Sequence, residues 1–289
     1  MPELPEVETI KNDLQDRIVN KKITKIWIED SFIKKISPEI GEFLRLLKNK
    51  SFQSVNRRAK LLYIAVNDDL FLLIHLKMTG QLVYQAQKGD LVVGGHPILN
   101  VNDLPNKYTR AFFQFQDKSY LFFNDIRKFG YLKLVNKDDL LLQLAKTGVE
   151  PLDPEFTLEY LREIMKKRKN LKIKTFLLEQ KLLAGLGNIY ADEVCFLSAV
   201  KPMRLVKSIK KQERELLFKY IKSVIKKAIK NRGTSFNTYV DSDGNTGGFQ
   251  KFLKVYGRKG ETCLRCKKGT IDKQKINGRS SSFCPNCQK

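Results

Sequence analysis

The 289-residue chain has no run of eighteen apolar residues, nor a charged start followed by an apolar signal segment. A membrane span and a secretory leader are therefore not expected, and the chain reads as soluble and intracellular. Acidic side chains are scarce: 31 Asp and Glu stand against 54 Lys and Arg, a formal net charge of +23. That excess goes beyond what solubility needs and points to a polyanionic partner, although a lysine-rich composition contributes by itself. Cysteine is nearly absent from the first nine-tenths of the chain, where only Cys195 occurs, inside the apolar string Val-Cys-Phe-Leu that marks it as a buried packing residue.

The other four cysteines fall in the last 27 residues. Cys263-x-x-Cys266 and Cys284-x-x-Cys287 are separated by 17 residues, a spacing that fits a four-cysteine zinc site carried on a hairpin. Two disulfides are the competing reading. An intracellular setting and an odd fifth cysteine weigh against them. The expected metal is one structural Zn2+, because four thiolates leave no open position for a reacting water.

At the other end stands Met-Pro-Glu-Leu-Pro-Glu. Val7, Ile10, Leu14 and Ile18 recur at helical spacing, so a helix starts here. If Met1 is removed, Pro2 becomes a secondary amine. A free α-amine has a pKa of about 7.7 to 8, and the positive end of the helix dipole disfavours its charged form further. Attack on a sugar carbon gives an iminium with no N–H to lose, a lasting electron sink. Glu3 and Glu6 share one face of that helix, and either can move protons beside the amine. The same residues also read as an ordinary helix start.

The length allows two domains, or two plus a small module. Ile23 to Glu29 alternates as a strand, Phe43 to Leu47 reads as a short helix, and Arg57, Arg58 and Lys60 interrupt an apolar run from Ser51 to Val66. Asn67-Asp68-Asp69 turns into the β-rich stretch Leu70 to Val83; Gln85 to Lys107 is expected to be a long surface loop. Tyr108 to Phe115 and Tyr120 to Phe123 form a hairpin, and Tyr131 to Val135 continues the sheet. Helical patterns follow at 140–146, 157–167 and 173–181, then a Gly185-x-Gly187-Asn188 turn opening a helix, then an amphipathic helix over 216–228. The glycine turn suits a phosphate, or is merely a helix–helix turn. The fold class is thus α+β and multi-domain, with an antiparallel N-terminal β-sandwich flanked by helices. The domains expected are 1–136, a linker at 137–152, a helical part at 153–248 and a zinc finger at 249–289. The polar, glycine-rich loop 233–248 reads as a lid or as disordered chain.

The string MPELPEVET resembles the start of the bacterial formamidopyrimidine-DNA glycosylase family, and further strings match it in order. The resemblance implies that Pro2 is the nucleophile, Glu3 the general acid and base, Glu6 a supporting residue, and Lys60 a phosphate-binding lysine close to the reacting sugar. His75-Leu-Lys-Met78 implies a phosphate-contacting His75 and a DNA-inserting Met78. Asp125-Ile-Arg127-Lys128-Phe129-Gly130 implies that Arg127 and Phe129 help fill the gap left by an everted base, with Lys128 as a further DNA contact. LLAGLGNIYADEV resembles the family's helix-two-turn-helix, with Asn188 on DNA phosphate, and Gly278-Arg279 matches its DNA-binding arginine in the zinc hairpin. The loop 233–248 corresponds to one that closes over the oxidised purine.

The implied activity is excision of 8-oxoguanine and formamidopyrimidines from duplex DNA, followed by β,δ-elimination, by a monomer in the bacterial cytoplasm with no nucleotide cofactor. Rivals are an endonuclease VIII-like enzyme for oxidised pyrimidines, disfavoured by MPELPE in place of MPEGPE, and a non-catalytic zinc-bearing DNA binder.

Overall fold

Val7, Ile10, Leu14 and Ile18 are all buried, and the first helix, α1 (Leu4–Ile18), forms where their spacing predicts. The computed structural model describes residues 2–87, 91–95, 103–234 and 248–289. Met1, part of the expected loop 85–107 and positions 235–247 of the expected lid lie outside the described residues. Chain contacts divide the molecule into two compact units, Met1–Ala145 with Arg232–Gly248, and Lys146–Asn231 with Phe249–Lys289.

The first unit is a sandwich of two five-stranded sheets. One runs β1-β8-β9-β6-β7 and the other β2-β10-β5-β4-β3, formed by β1 (Ile23–Ile28), β2 (Ile36–Ser37), β3 (Ser54–Arg58), β4 (Leu61–Ala65), β5 (Leu70–His75), β6 (Gly80–Gln85), β7 (Leu91–Gly95), β8 (Thr109–Phe115), β9 (Tyr120–Asp125) and β10 (Tyr131–Asn136). Period-two alternation places Phe113, Phe115, Leu121, Phe123 and Leu82 of one sheet in a common core with Leu62, Ile64, Leu72, Ile74 and Leu132 of the other. The intervening Phe112, Phe122 and Val83 form a separate cluster on the outer face of the first sheet, with Leu91 and Leu104 against it. That second cluster explains why these strands read as unbroken apolar runs. Helix α1 packs on β3 and β7, one strand from each sheet.

One expectation is corrected here. Leu91-Val-Val, expected inside a surface loop, is strand β7, paired antiparallel with β6 from Gln81↔Gly95 to Gln85↔Leu91. Its signal is three apolar residues in a polar setting, and its partner is supplied by the tertiary fold. Gly94 belongs to this edge because a Cβ there would lie 2.3 Å from Ile10 Cγ1 of α1. The sandwich is antiparallel, as expected, apart from one two-residue edge pair: β2 joins β10 in parallel through Leu132↔Ile36 and Lys133↔Ser37. A two-residue edge strand reached from β1 through the 3-10 turn Asp30–Lys35 can run either way.

The helical elements are α2 (Ile40–Leu47), α3 (Lys137–Leu144), α4 (Leu158–Lys167), α5 (Ile173–Leu177), α6 (Asn188–Leu197) and α7 (Lys211–Lys230). Helix α5 stops four residues short of Lys181. Beyond it the Gln180 amide donates to Leu178 O and Leu186 O, and its Oε1 accepts from Gly185 N–H, so backbone groups are satisfied without continuing the helix. Helix α7 begins earlier than its apolar stripe because Glu213 accepts the Lys210 N–H at 2.7 Å, a cap on its first turn. Strands β11 (Asp272–Ile276) and β12 (Arg279–Phe283) make the terminal hairpin, turned by Asn277 (φ 46°) and Gly278 (φ 79°) in the left-handed pair a two-residue connection needs.

Candidate active site

The start of α1 is an arrangement of carboxylates. Pro2 and Glu3 are buried, and the Glu3 N–H donates to Glu6 Oε2 at 2.9 Å, half of a capping box. The other Glu6 oxygen accepts from the Thr234 N–H at 2.7 Å and the Thr234 hydroxyl at 3.0 Å. Glu6 therefore ties the chain beside Pro2 to the beginning of the 233–248 loop. Gly233 makes the approach possible: at φ +75° it has no Cβ, which would stand 2.6 Å from Glu6 Oε1. Next to it Arg232 donates to both Asp13 oxygens, at 3.0 and 2.7 Å. Glu8 takes Arg57 at 2.6 Å and Lys11 at 3.0 Å. Burial alone would raise its pKa, but the hydrogen bonds and charges of Arg57 and Lys11 hold it below the ordinary value.

Lys60 is buried in the tight turn between β3 and β4. Its charge reaches His75, at the end of β5. His75 Nδ1 accepts the Lys77 N–H at 3.0 Å, which leaves the ring proton on Nε2. Burial, then the charges of Lys77 and Lys60, push the imidazole pKa down to about 3. His75 is thus a neutral hydrogen-bond donor, suited to a phosphate oxygen without adding charge.

Met78, Arg127 and Phe129 come together. Arg127 Nη1 lies 3.2 Å from Met78 Sδ, and its guanidinium sits 4.5 Å from the Phe129 ring centroid. Met78 and Phe129 remain 45% and 46% exposed, an exposure that costs apolar contact with water unless another surface covers them. Lys128 does not join them. At φ +54° it turns back, donating to Glu29 Oε1 at 3.1 Å and to the Ser31 hydroxyl. Glu29 also holds Arg110 at 2.6 Å; burial would raise its pKa, and Arg110 and then Lys128 bring it below the ordinary value.

What holds this apolar cluster was not singled out from the sequence. Asp125, fully buried at the end of β9, accepts the Thr79 hydroxyl and the Arg127 N–H (3.1 Å) on Oδ1 and the Gly130 N–H (2.8 Å) on Oδ2. The Arg127 N–H also reaches Thr79 Oγ1 at 3.0 Å. Arg110 Nε donates to the Asp125 carbonyl at 2.7 Å. One carboxylate thus locks the loop carrying Met78 to the loop carrying Arg127 and Phe129. A carboxylate ending an apolar strand before Gly130 was the available signal.

In the second unit Asn188 opens α6 behind Gly187, where the helix dipole favours an anion. Its buried Oδ1 makes no hydrogen bond within the described residues. Lys174 donates to the Asn188 carbonyl at 2.7 Å and pairs with buried Asp192, which in turn accepts the Ser282 N–H at 2.9 Å. Glu193 accepts the N–H groups of Lys254, Val255 and Tyr256 at 2.8 to 2.9 Å. Asp192 thus fastens α6 to the terminal hairpin, at whose exposed tip Arg279 sits, and Glu193 fastens it to the segment 254–256 ahead of that hairpin.

The sulfurs of Cys263, Cys266, Cys284 and Cys287 lie within 4.8 Å of one another. Cys263 Sγ and Cys287 Sγ are 3.7 Å apart, Cys266 Sγ and Cys284 Sγ 3.9 Å. A tetrahedron with Zn–S near 2.3 Å has edges of about 3.8 Å, so the donor set fits one zinc ion, with no open position. The cysteines are free thiols rather than disulfides. Cys195 is buried apart from them, its thiol pushed up to about 12 by that burial, as an inert packing residue.

Comparison with known proteins decides the family. The Formamidopyrimidine-DNA glycosylase N-terminal domain matches residues 1–132, the Formamidopyrimidine-DNA glycosylase H2TH domain residues 147–240, and the zinc finger found in FPG and IleRS residues 260–289. The chain belongs to the formamidopyrimidine-DNA glycosylase family. It is 39% identical over 293 residues to the formamidopyrimidine-DNA glycosylase of Pelotomaculum thermopropionicum, covering 100% of this chain and 99% of that one. To the Carboxydothermus hydrogenoformans enzyme it is 40% identical over 291 residues, covering 100% of both. A Lactococcus lactis FPG mutant bound to a Fapy-dG containing DNA superposes with a TM-score of 0.87 at 35% identity, over 100% of both chains. The Lactococcus lactis Fpg on an abasic site containing DNA gives 0.86 at 35% identity over 99% of both. The four-cysteine cluster is the zinc site of this family's finger, and the β-sandwich, helices and finger are its fold. Among the described residues no helix is long and apolar enough to cross a membrane.

Proposed function

We propose that the chain is a bifunctional DNA glycosylase and AP lyase that removes oxidised purines, 8-oxoguanine and formamidopyrimidines, from duplex DNA in the bacterial cytoplasm, working as a monomer. The single observation carrying the reading is one unit that holds a buried Pro2-Glu3 helix start together with the exposed Met78–Arg127–Phe129 cluster.

Everting a nucleotide costs a few kcal/mol of lost stacking. Met78 and Phe129 enter the vacated space and Arg127 addresses the orphaned base, which offsets part of that cost. His75 as a neutral donor and Lys60 as a cation hold phosphates beside the lesion, while Asn188 and Arg279 take the backbone elsewhere. With Met1 removed, the Pro2 amine in its deprotonated form bonds to C1′ as the damaged base departs with a proton. Glu3 protonates the ring oxygen as the C1′–O4′ bond opens, leaving an iminium between Pro2 and C1′. The iminium acidifies C2′, Glu3 takes that proton, and the 3′ phosphate leaves; a second elimination expels the 5′ phosphate. Glu6 supports Glu3 through its N–H. Zinc takes no part in these steps and fixes the hairpin that carries Arg279.

Borohydride reduction during reaction with an abasic or 8-oxoguanine duplex is expected to leave a covalent adduct on Pro2, located by peptide mapping. An adduct on another residue, or none, overturns the chemistry. Pro2→Gly and Glu3→Gln should each suppress excision with duplex affinity retained. Faster cleavage of a thymine glycol duplex than of an 8-oxoguanine duplex would reassign the substrate to oxidised pyrimidines.

A further inference from the structure

The second unit contains a concave basic surface that the excision chemistry leaves unused. A cavity of about 360 Å3 opens between the last turn of α4, the 3-10 turn Val206–Ser208 and the first turns of α7. Met165 and Val206, both buried, form its floor. Arg162, Lys166, Lys169, Lys207 and Arg214 ring it. It shares no residue with the surroundings of Asn188 or the four cysteines.

Most lysine-rich faces are merely solvated, and two of these five cations are compensated in that ordinary way. Arg162 pairs with Glu159 at 3.3 Å and Lys166 with Glu163 at 2.8 Å. The other three have no acid partner among the described residues. Their backbone, and for Arg214 the side chain, is also held in place. The Lys207 N–H donates to the Lys169 carbonyl at 2.9 Å, which fixes two of the strands of chain that form the rim. Arg214 Nε donates to the Ile209 carbonyl at 3.1 Å, which anchors one edge of the guanidinium and leaves its remaining N–H groups. Arg214 and Lys166 are near enough for their charges to oppose each other. Gathering like charges around one depression costs free energy in the unliganded protein, a cost that an anion seated there removes. The rim is built of Arg and Lys, whose N–H groups take phosphate oxygens without regard to sequence when they meet the backbone.

We propose that this cleft is a second phosphodiester-binding site, taking backbone phosphates of duplex DNA outside the lesion-bearing segment. It goes beyond the excision reaction and requires none of the Pro2 chemistry. Its function is retention on long DNA, since each lysine–phosphate contact releases a counterion and strengthens binding without regard to sequence.

The test uses the full-length zinc-loaded protein. Lys169→Gln/Lys207→Gln should lower the slope of log K against log salt for a long undamaged duplex by about 2, and adding Arg214→Gln by about 3. Single-turnover excision from a short duplex spanning only the lesion should stay unchanged. A control of equal charge loss, Lys34→Gln/Lys35→Gln/Lys48→Gln in the first unit, should leave the slope near wild type. An unaltered slope in the double and triple variants overturns the proposal, as does an equal fall in the control, which would assign the effect to net charge. Binding of an acidic peptide or of inorganic pyrophosphate that is lost in the variants, with duplex affinity intact, also overturns it. Thermal melting checks folding, and the double variant leaves the Arg214 anchor in place. If the wild-type chain fails to excise purines yet the slope falls as stated, the enzymatic reading fails and the cleft stands.

Discussion

Thr79→Val isolates the clamp behind the Met78–Arg127–Phe129 cluster. Valine keeps the shape of threonine and removes only the hydroxyl. In the native protein that hydroxyl donates to Asp125 Oδ1 and accepts the Arg127 N–H at 3.0 Å, at a site 8% exposed. A hydrogen bond to a charged group contributes about 1.5–3 kcal/mol net. The Arg127 N–H retains Asp125 Oδ1 at 3.1 Å and Gly130 retains Oδ2 at 2.8 Å, so the two loops loosen without coming apart. About 2 kcal/mol of lost order in the everted state corresponds to roughly 30-fold in rate, since each 1.4 kcal/mol is tenfold. The loss should appear only where a stacked base must be expelled. Single-turnover excision of 8-oxoguanine is therefore expected to slow by about one to two orders of magnitude, whereas strand cleavage at a preformed abasic site stays within a few-fold of wild type. Thr79→Ser, which restores the hydroxyl, should recover most of the excision rate. Equal slowing of both reactions, or no recovery with serine, would refute the clamp as a positioning device for eversion.

Three further outcomes follow from particular contacts. His75 is neutral in the fold down to about pH 3 but protonates near pH 6.5 when unfolded. The unfolded chain then binds the extra proton, so stability should fall as pH drops from 6.5 toward 3, by at most about 1.4 kcal/mol per unit; His75→Gln should flatten that limb of a denaturant-titrated pH profile. Gly94→Ala forces a Cβ to 2.3 Å from Ile10 Cγ1, and overpacking of this kind costs about 1–3 kcal/mol, measurable as a lower denaturant midpoint with catalytic residues untouched. Removing zinc by a chelator should unfold the terminal hairpin, because metal binding and folding of such sites are one equilibrium; proteolysis between Cys263 and Cys287 should accelerate and duplex affinity drop, while β-sheet circular dichroism persists.

Local signals carried a large share of this structure. Val7, Ile10, Leu14 and Ile18 specify α1 by spacing alone, and Asp117-Lys118, with Lys118 at φ +63°, turns the β8–β9 hairpin where sequence places it. The cysteine spacing gives a tetrahedral donor set because each Cys-x-x-Cys segment is itself a local turn. Strand β7 escaped because its three apolar residues become a strand only beside β6. The parallel β2–β10 pair escaped for the same reason, as no local feature of Ile36–Ser37 sets its direction. At the site, the string around Arg127 was recognisable, yet two features came only with coordinates. Lys128 points away from its neighbours, toward Glu29, which lies 99 positions earlier. Asp125 serves as the clamp only because Thr79, 46 positions away, meets it.

Lys128 also shows how the fold spends its few acids. Glu6, Glu8, Asp125, Asp192, Glu193 and Glu213 all bind backbone N–H groups or cations inside their own unit. Glu29 stands between these roles, joining buried Arg110 at 2.6 Å to half-exposed Lys128 at 3.1 Å. Glu29→Gln should accordingly move two quantities in opposite directions. Arg110, 6% exposed, loses its carboxylate and, among the described residues, keeps the Asp125 carbonyl; an uncompensated buried charge costs about 3–5 kcal/mol, somewhat less here because Glu29 is partly solvated, and the melting temperature should drop. Lys128, released beside the exposed Arg127 and Phe129, becomes available to phosphate, and the salt slope for duplex binding should steepen by about 1. A variant that melts lower with an unchanged slope would mean that Lys128 faces solvent and not DNA, and its place among the DNA contacts would fall.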